Sequence, residues 1–314
     1  MTQAATTGSG KYERLLERCQ GLEPVPTAVA YPCEATALSA AVEAARMKLI
    51  TPILVGPVDR IVATAISSGL DLGNLEIVDV PNAVAAATKS VELVRAGRAE
   101  VLMKGSLHTD ELMAAVVARD SGLRDGRRIS HAFVMDVPTY HKVLIVTDGA
   151  INIAPTLEDK VHICQNAIDL AVSLGRAKPK VAILAAVESV NSKMPATLDA
   201  AALCKMAERG QITGALLDGP LAFDNAISRE AAETKGIKSE VAGDPDILLA
   251  PDLEAGNILA KQLSFLANAD SAGMVLGARV PVILTSRADS VRSRIASCAV
   301  AKLVAHARRE ALSI

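Results

Sequence analysis

The sequence predicts an α/β protein built as two lobes, and three observations carry that expectation. Short β-branched runs alternate with longer amphipathic stretches along nearly the whole chain. Several of the short runs, such as Ile53-Leu54-Val55 and Ile77-Val78, are apolar on successive residues, as strands are when helices cover both faces of a parallel sheet. Half of the 314 residues are hydrophobic while only 2% are aromatic, so the core is aliphatic, built from Ala, Val, Leu and Ile.

In chain order, residues 27–32 read as a strand and 34–49 as a helix with Ala and Val at three- and four-residue spacings. Strand 52–56 leads into a helix opened by Pro57, a residue suited to a first helical turn. Strand 75–80, helix 82–97, strand 100–105 and helix 109–120 continue the alternation. Strands 128–137 and 142–152 follow with no room for a helix between them, which predicts a hairpin and one antiparallel pair in an otherwise parallel sheet. Thr156 opens a helix over 157–174 with acids in its first turn, where the helix dipole favours them. Strand 181–187, helix 197–209, strand 214–220 and a polar, Gly-containing stretch over 229–246 come next. Strand 246–252, helix 254–267, strands 273–276 and 280–286, and a last helix over 289–309 complete the chain. With no internal repeat or low-complexity linker, the division falls near 152–156: residues 1–152 plus 273–314 form one α/β domain, and 153–272 the second. Clefts between such lobes are preferred ligand sites.

Composition and motifs remove several function classes. Lys plus Arg is 33 and Asp plus Glu 35, so a net charge of −2 leaves no basic footprint for nucleic acid or an anionic membrane. With no Trp, three Phe and three Tyr, base-stacking platforms have no material. Charges interrupt every apolar run before the ~18 residues of a membrane span, and the N-terminal twenty residues lack a signal-peptide core, so a soluble cytoplasmic protein is expected. The five cysteines form no CxxC pair and the five histidines no HxH or HxxxH pair, so neither a disulfide frame nor a metal site is expected. There is no GxxxxGK[ST] loop, no GxGxxG after the first strand and no GxSxG.

Ligands in open α/β sheets bind beyond the carboxyl ends of strands, and four such ends here are polar. Lys104-Gly105-Ser106-Leu107-His108-Thr109-Asp110 offers helix-capping groups and amide donors for an anion, or an ordinary strand–turn–helix. Thr147-Asp148-Gly149-Ala150-Ile151-Asn152 is a polar turn after an apolar strand. Asp218-Gly219-Pro220 through Asp224-Asn225 sets two acids around Gly-Pro. Thr285-Ser286-Arg287-Ala288-Asp289-Ser290 places a hydroxyl, a guanidinium and a carboxylate between a strand and a helix, a ready anion cradle or a plain N-cap. Arg128, beside Arg127 and Arg124, is a further candidate for phosphate.

Together these segments resemble the phosphate acetyltransferase/phosphate butyryltransferase family. The match is carried by Lys104-Gly105 with His108-Thr109-Asp110, by 130–136 (Ser-His-Ala-Phe-Val-Met-Asp), by Asp148-Gly149-Ala150-Ile151-Asn152 and by 218–226 (Asp-Gly-Pro-Leu-Ala-Phe-Asp-Asn-Ala). Residues 251–257 (Pro-Asp-Leu-Glu-Ala-Gly-Asn) and Thr285-Ser286-Arg287-Ala288-Asp289-Ser290 complete it, in the family's order, from about residue 26 to the C-terminus. The resemblance implies a two-lobed α/β/α sandwich like that of the isocitrate and isopropylmalate dehydrogenases, with the active site in the interdomain cleft, and a homodimer. It implies reversible transfer of a short acyl group, acetyl to butyryl, between CoA and inorganic phosphate in a ternary complex, with CoA as substrate, no permanently bound cofactor and no metal.

On that resemblance Ser286 supports the transition state and Arg287 handles phosphate. The acetyl branch resembles Ser-Arg-Gly followed by an acid seven residues after the serine; here that position is Ser293, and Asp289 is the nearest carboxylate, hence the candidate base. The acetyl branch also has an arginine in the helix after its His-Thr motif, where this chain has Met113, Ala114 and Ala115, leaving Lys104 or Arg128 to supply the contact. The candidate set is thus Ser286 and Asp289 as catalytic, with Arg287, Lys104, His108, Thr109, Arg128, Asp218, Asn225 and Asn257 binding phosphate and substrate. The Thr-Ser-Arg-Ala-Asp-Ser form looks more like the butyryl branch. Two alternatives stay open: a non-catalytic acyl-CoA-binding homologue, and an NAD(P)-dependent oxidative decarboxylase on the same fold.

Overall fold

Side chains that cap helices explain where the amphipathic runs begin. Asn82, Thr156, Ser228 and Asp252 each accept a backbone N–H two or three residues into the following helix, meeting a donor the helix itself leaves open. The computed structural model describes residues 10–286 and 289–312. By its internal contacts the chain forms two units, Glu13–Arg127 with the stretch starting at Ala272, and Arg128–Ser271 with the stretch ending at Tyr12.

The first unit contains β1 (Val25–Ala30), β2 (Ile50–Gly56), β3 (Glu76–Asp79) and β4 (Val101–Lys104). Around them run α1 (Lys11–Arg18), α2 (Ala35–Arg46), α3 (Val58–Ser67), α4 (Ala83–Arg95) and α5 (Thr109–Val117). The second unit holds the hairpin β5 (Ser130–Asp136) and β6 (Leu144–Thr147), then α6 (Leu157–Ser173), β7 (Lys180–Leu184), α7 (Pro195–Glu208) and β8 (Leu216–Leu221). It continues with α8 (Phe223–Ile227), α9 (Arg229–Thr234), β9 (Ile247–Leu249) and α10 (Leu253–Leu266). The chain returns to the first unit through β10 (Asp270–Leu276), β11 (Val282–Ile283) and α11 (Val291–Leu312).

In the first unit the strand order is β3-β2-β1-β4-β11-β10, parallel except for β10 against β11. In the second it is β5-β6-β9-β7-β8, parallel except for the β5–β6 hairpin. The predicted hairpin is therefore present, and β10–β11 adds a second antiparallel pair. The sequence grouped residues 128–152 with the first lobe; the contacts group them with the second, because β6 lies in register with β9 from Ile145↔Ile247 to Thr147↔Leu249. Two further differences have local causes. The polar stretch after 229 begins with α9, which Ser228 caps and Ala-Glu-rich residues propagate. The strand expected over 280–286 is only Val282–Ile283, since Ser286 gives its N–H to the Asp289 carboxylate rather than to a neighbouring strand.

Both cores are aliphatic. Leu38, Leu54, Ile61, Leu102 and Met103 are fully buried in the first unit; Met135, Val146, Leu184, Leu221 and Leu248 form one cluster in the second. Each such side chain contributes roughly 1.5–3 kcal/mol by leaving water. In the second unit the entries to β6, β7 and β9 are also joined by charge: Asp244 pairs with Lys180 at 2.7 Å and Lys142 at 3.0 Å, and Asp246 accepts the Lys180 N–H at 2.9 Å. Burial alone would raise the Asp244 carboxyl, but the two ammonium groups outweigh it and hold its pKa at about 2. No helix among the described residues is long and apolar enough to cross a membrane.

Candidate active site

In the first unit, β1, β4 and β11 run parallel as neighbours, so their carboxyl ends share one edge of the sheet. Ala30 is in register with Lys104 and Met103 with Ile283, which sets the loops after β1, β4 and β11 side by side. After β4 the backbone passes so close to β1 that a Cβ on Gly105 would lie 2.3 Å from the Ala30 carbonyl oxygen. Only glycine permits that approach. Ser106 then donates from Oγ to the Tyr31 carbonyl at 2.7 Å and accepts the Cys33 N–H at 3.0 Å. These bonds fix Tyr31, whose φ of 55° is in the left-handed region. Lys104 is buried at the end of β4. His108 is the N-cap residue of α5 and Thr109 its first residue; the His108 N–H is met by the Glu111 carboxylate at 2.8 Å.

After β11 the chain turns through Thr285 and Ser286 into α11. Asp289 Oδ2 accepts the Ser286 N–H at 2.6 Å, and the Asp289 N–H returns to the Ser286 carbonyl at 3.2 Å. Ser290 receives the Ser293 N–H at 3.1 Å and so starts the helix. Ser293 lies within that cap, its Oγ 3.2 Å from the Ser290 Oγ. From inside α11, Arg294 donates to Thr285 Oγ1 at 2.7 Å and to the Ser286 carbonyl at 2.9 Å. Arg287 lies outside the described residues.

The second unit presents its own set of strand ends. Asp148 follows β6 and accepts the N–H groups of Ala150 at 2.9 Å, Ile151 at 3.0 Å and Asn152 at 3.3 Å. Asn152 adds a side-chain bond to Asp148 at 2.5 Å and accepts Arg128 Nε at 2.8 Å. Because β5 is antiparallel to β6, Arg128 just before β5 stands at this same end, where it also pairs with Asp159 at 3.3 Å. Asn257, on α10 beyond β9, donates to the Gly149 carbonyl at 2.8 Å. Gly256 next to it has no room for a Cβ, which would meet the Asp148 carbonyl oxygen at 2.3 Å. Asn225 on α8 is fully buried and donates to Glu188 at 3.1 Å. Glu188 also accepts from Lys235 at 3.2 Å, and Lys235 pairs with Asp224 at 3.0 Å. Lys235 lowers the pKa of both carboxyls, chiefly through these hydrogen bonds. Asp218 stands apart, inside β8 opposite Ala182, with one carboxylate oxygen on the Gly219 N–H at 2.9 Å.

Lys104, His108, Thr109, Ser286 and Asp289 thus share one sheet edge in the first unit, while Arg128, Asn225 and Asn257 lie at strand ends of the second. Sequence reasoning missed Glu188, Lys235 and Arg294. The first two are exposed charges far apart in the chain and left no signal. Arg294 did leave one: it falls on the same helical stripe as Cys298, Ala301 and Ala305, all buried, where a charge has no reason to be if packing alone decides. The five cysteines are free thiols; burial pushes Cys164 and Cys298 up to about 12 and also raises Cys33, so none is poised as a nucleophile. Among the described residues no group of three His, Cys, Asp or Glu side chains is placed to hold a metal ion.

A sequence profile described as phosphate acetyl/butaryl transferase matches residues 82–302. The chain is 63% identical over 301 residues to the phosphate acetyltransferase of Rhizobium meliloti, covering 96% of this chain and 95% of that one. It is 42% identical over 294 residues to the phosphate butyryltransferase of Clostridium acetobutylicum, covering 94% and 98%. The identity is thus higher to this acetyltransferase than to this butyryltransferase, although the Thr-Ser-Arg-Ala-Asp-Ser form pointed to the butyryl branch. Among solved structures, a branched-chain phosphotransacylase from Enterococcus faecalis V583 superposes with a TM-score of 0.78 at 31% identity, over 90% of this chain and 99% of that one. A 4-hydroxythreonine-4-phosphate dehydrogenase from Klebsiella pneumoniae, 12% identical with a TM-score of 0.56 over 90% of this chain and all of the other, shares the fold alone.

Proposed function

The chain belongs to the phosphate acetyl/butyryltransferase family and is an acyltransferase; on that premise we propose that it moves a short acyl group, acetyl to butyryl, between CoA and inorganic phosphate, with Ser286 and Asp289 at the reacting centre. The observation that carries this reading is the turn between β11 and α11. There Ile283 is in register with Met103, the residue before the buried Lys104, and the backbone N–H of Ser286, three residues past Ile283, is bonded to the carboxylate of Asp289.

In the forward direction a phosphate oxygen attacks the thioester carbonyl carbon. A C–O bond forms, the C–S bond breaks and CoA leaves as thiolate. Hydrated phosphate is a poor nucleophile, so cationic groups must hold it against the carbonyl; Arg287 and Lys104 are assigned that role, and Arg128 is the further candidate for phosphate. The Ser286 hydroxyl donates to the carbonyl oxygen as negative charge gathers there. In reverse, Asp289 takes the proton of the CoA thiol through the carboxylate oxygen not bonded to Ser286. His108, Thr109, Asn225, Asn257 and Asp218 complete the substrate-binding set, of which Asn257 acts through the Gly149 carbonyl it holds.

CoA is a substrate in this scheme, not a resident cofactor. The interdomain cleft of a dehydrogenase-like fold, a homodimeric state, a cytoplasmic location and the absence of nucleic-acid or membrane partners belong to the same proposal, and rest on the family resemblance and on composition. Family membership favours acyl transfer over the oxidative decarboxylase and non-catalytic readings. The test is release of CoA thiol from acetyl-, propionyl- and butyryl-CoA, with and without phosphate, by the wild type and Ser286→Ala. Phosphate-dependent release that falls about 10²-fold in the variant supports the reading; equal release without phosphate, or an unaffected variant, overturns it.

A further inference from the structure

Arg294 is 3% exposed, and its hydrogen bonds run to neutral acceptors, the Thr285 hydroxyl and the Ser286 carbonyl. Its Nε has no hydrogen-bond partner among the described residues. Burial lowers its pKa, and the charges of Asp289 and Glu34 act against that without contact ion pairing. A buried guanidinium so incompletely satisfied is an expensive way to stabilise a helix, and apolar residues of similar volume commonly serve as well or better. Its geometry has a different use. β11 ends at Ile283, and beyond it the Leu284 N–H continues toward β10, onto the Gly273 carbonyl at 3.2 Å. From there the course of the chain is set by side chains. Asp289 holds the Ser286 N–H, and Arg294 holds the Ser286 carbonyl and the preceding hydroxyl with the two arms of one planar fork. Lysine, a single point donor, does not reproduce that bracket.

We propose that Arg294 is a positioning residue for acyl transfer, its guanidinium fixing Thr285 and Ser286 so that the Ser286 hydroxyl meets the charge developing on the thioester oxygen. The inference rests on the role of Ser286 given above. It assigns to the first turns of α11 a function that the chain's own departure, Ser293 in place of an acid, would otherwise leave unexplained, since the cation next to Ser293 is the group directed back at the serine.

The experiment compares Arg294→Met, Arg294→Lys, Ser286→Ala and the Ser286→Ala/Arg294→Met double variant by melting temperature and by kcat and KM for acyl-CoA and phosphate. Arg294→Met should melt no lower than wild type, lose about 10²-fold in kcat and change both KM values by less than about threefold; Arg294→Lys should recover only part of the loss. In the double variant the Met substitution should cost less than about threefold beyond Ser286→Ala, because it acts through that serine. A purely structural role would lower the melting temperature and act on kcat additively. Wild-type kcat in Arg294→Met, or full additivity in the double variant, overturns the inference while leaving Ser286 in place if Ser286→Ala itself collapses. An active Ser286→Ala removes the role of Ser286 and this inference together. If Arg294→Met does not fold, the same criteria apply to Arg294→Lys, combined with Ser286→Ala.

Discussion

Asp289 already holds the Ser286 N–H at 2.6 Å, so a structural and a chemical role meet in one side chain. Substitution can separate them. Asp289→Asn keeps an acceptor oxygen for the Ser286 N–H but cannot take a proton at neutral pH, so the variant should keep its melting temperature and its KM for phosphate while CoA acylation from acyl phosphate falls at least about tenfold. Unchanged turnover would remove Asp289 as the base. Arg287→Lys should raise KM for phosphate several-fold, because a single ammonium replaces a bidentate fork; this is read from phosphate titrations at saturating acyl-CoA. At this scale the sequence exposed residues that sit next to one another in motifs, such as Ser286 with Asp289. It concealed those joined only by folding: Glu188 and Lys235 meet across forty-seven positions, and no local pattern announces such a pair.

Among the elements, Gly105 after β4 and Gly256 in the first turn of α10 make the strictest demand. A methyl group on Gly105 or Gly256 would run into a backbone carbonyl oxygen at 2.3 Å, with no flexible side chain to move aside. Gly105→Ala and Gly256→Ala should each cost about 3 kcal/mol or more in chemical denaturation. Gly56→Ala is the control: its nearest neighbour is the Ile61 Cδ1 at 3.4 Å, an ordinary contact, and it should stay within about 1 kcal/mol of wild type. The charge cluster around Asp244 sets an acid limit. Its folded pKa of about 2 is below the unfolded carboxyl value, so its stabilisation is fully present above that unfolded value of about 3.9 and disappears as pH falls through about 2. Asp244→Asn should therefore lose on the order of 1–2 kcal/mol at neutral pH, after allowance for solvent screening, and show a flatter stability profile between about pH 4 and 2.

For the whole molecule, the alternation of apolar runs and amphipathic stretches was enough to read the order of elements, because strands buried on both faces must be apolar throughout and the helices covering them must be two-sided. The hairpin over 128–152 was legible from the absence of room for a helix. Its partner was not: β6 pairs with β9 about a hundred residues away, and that register, which decides the unit the hairpin joins, is written in packing rather than in any local run. The same holds for β11, whose last expected residues are drawn out of the ladder by Asp289 and Arg294.

As an acyltransferase of this family, the chain is expected to join phosphate to an acyl group carried by CoA. The most direct test is to follow CoA thiol release from acetyl-, propionyl- and butyryl-CoA while phosphate is varied from none to saturation. Release should rise and saturate with phosphate, yield acyl phosphate one for one with free thiol, and rank the three acyl groups. Release that ignores phosphate, or none from any of the three, would contradict it.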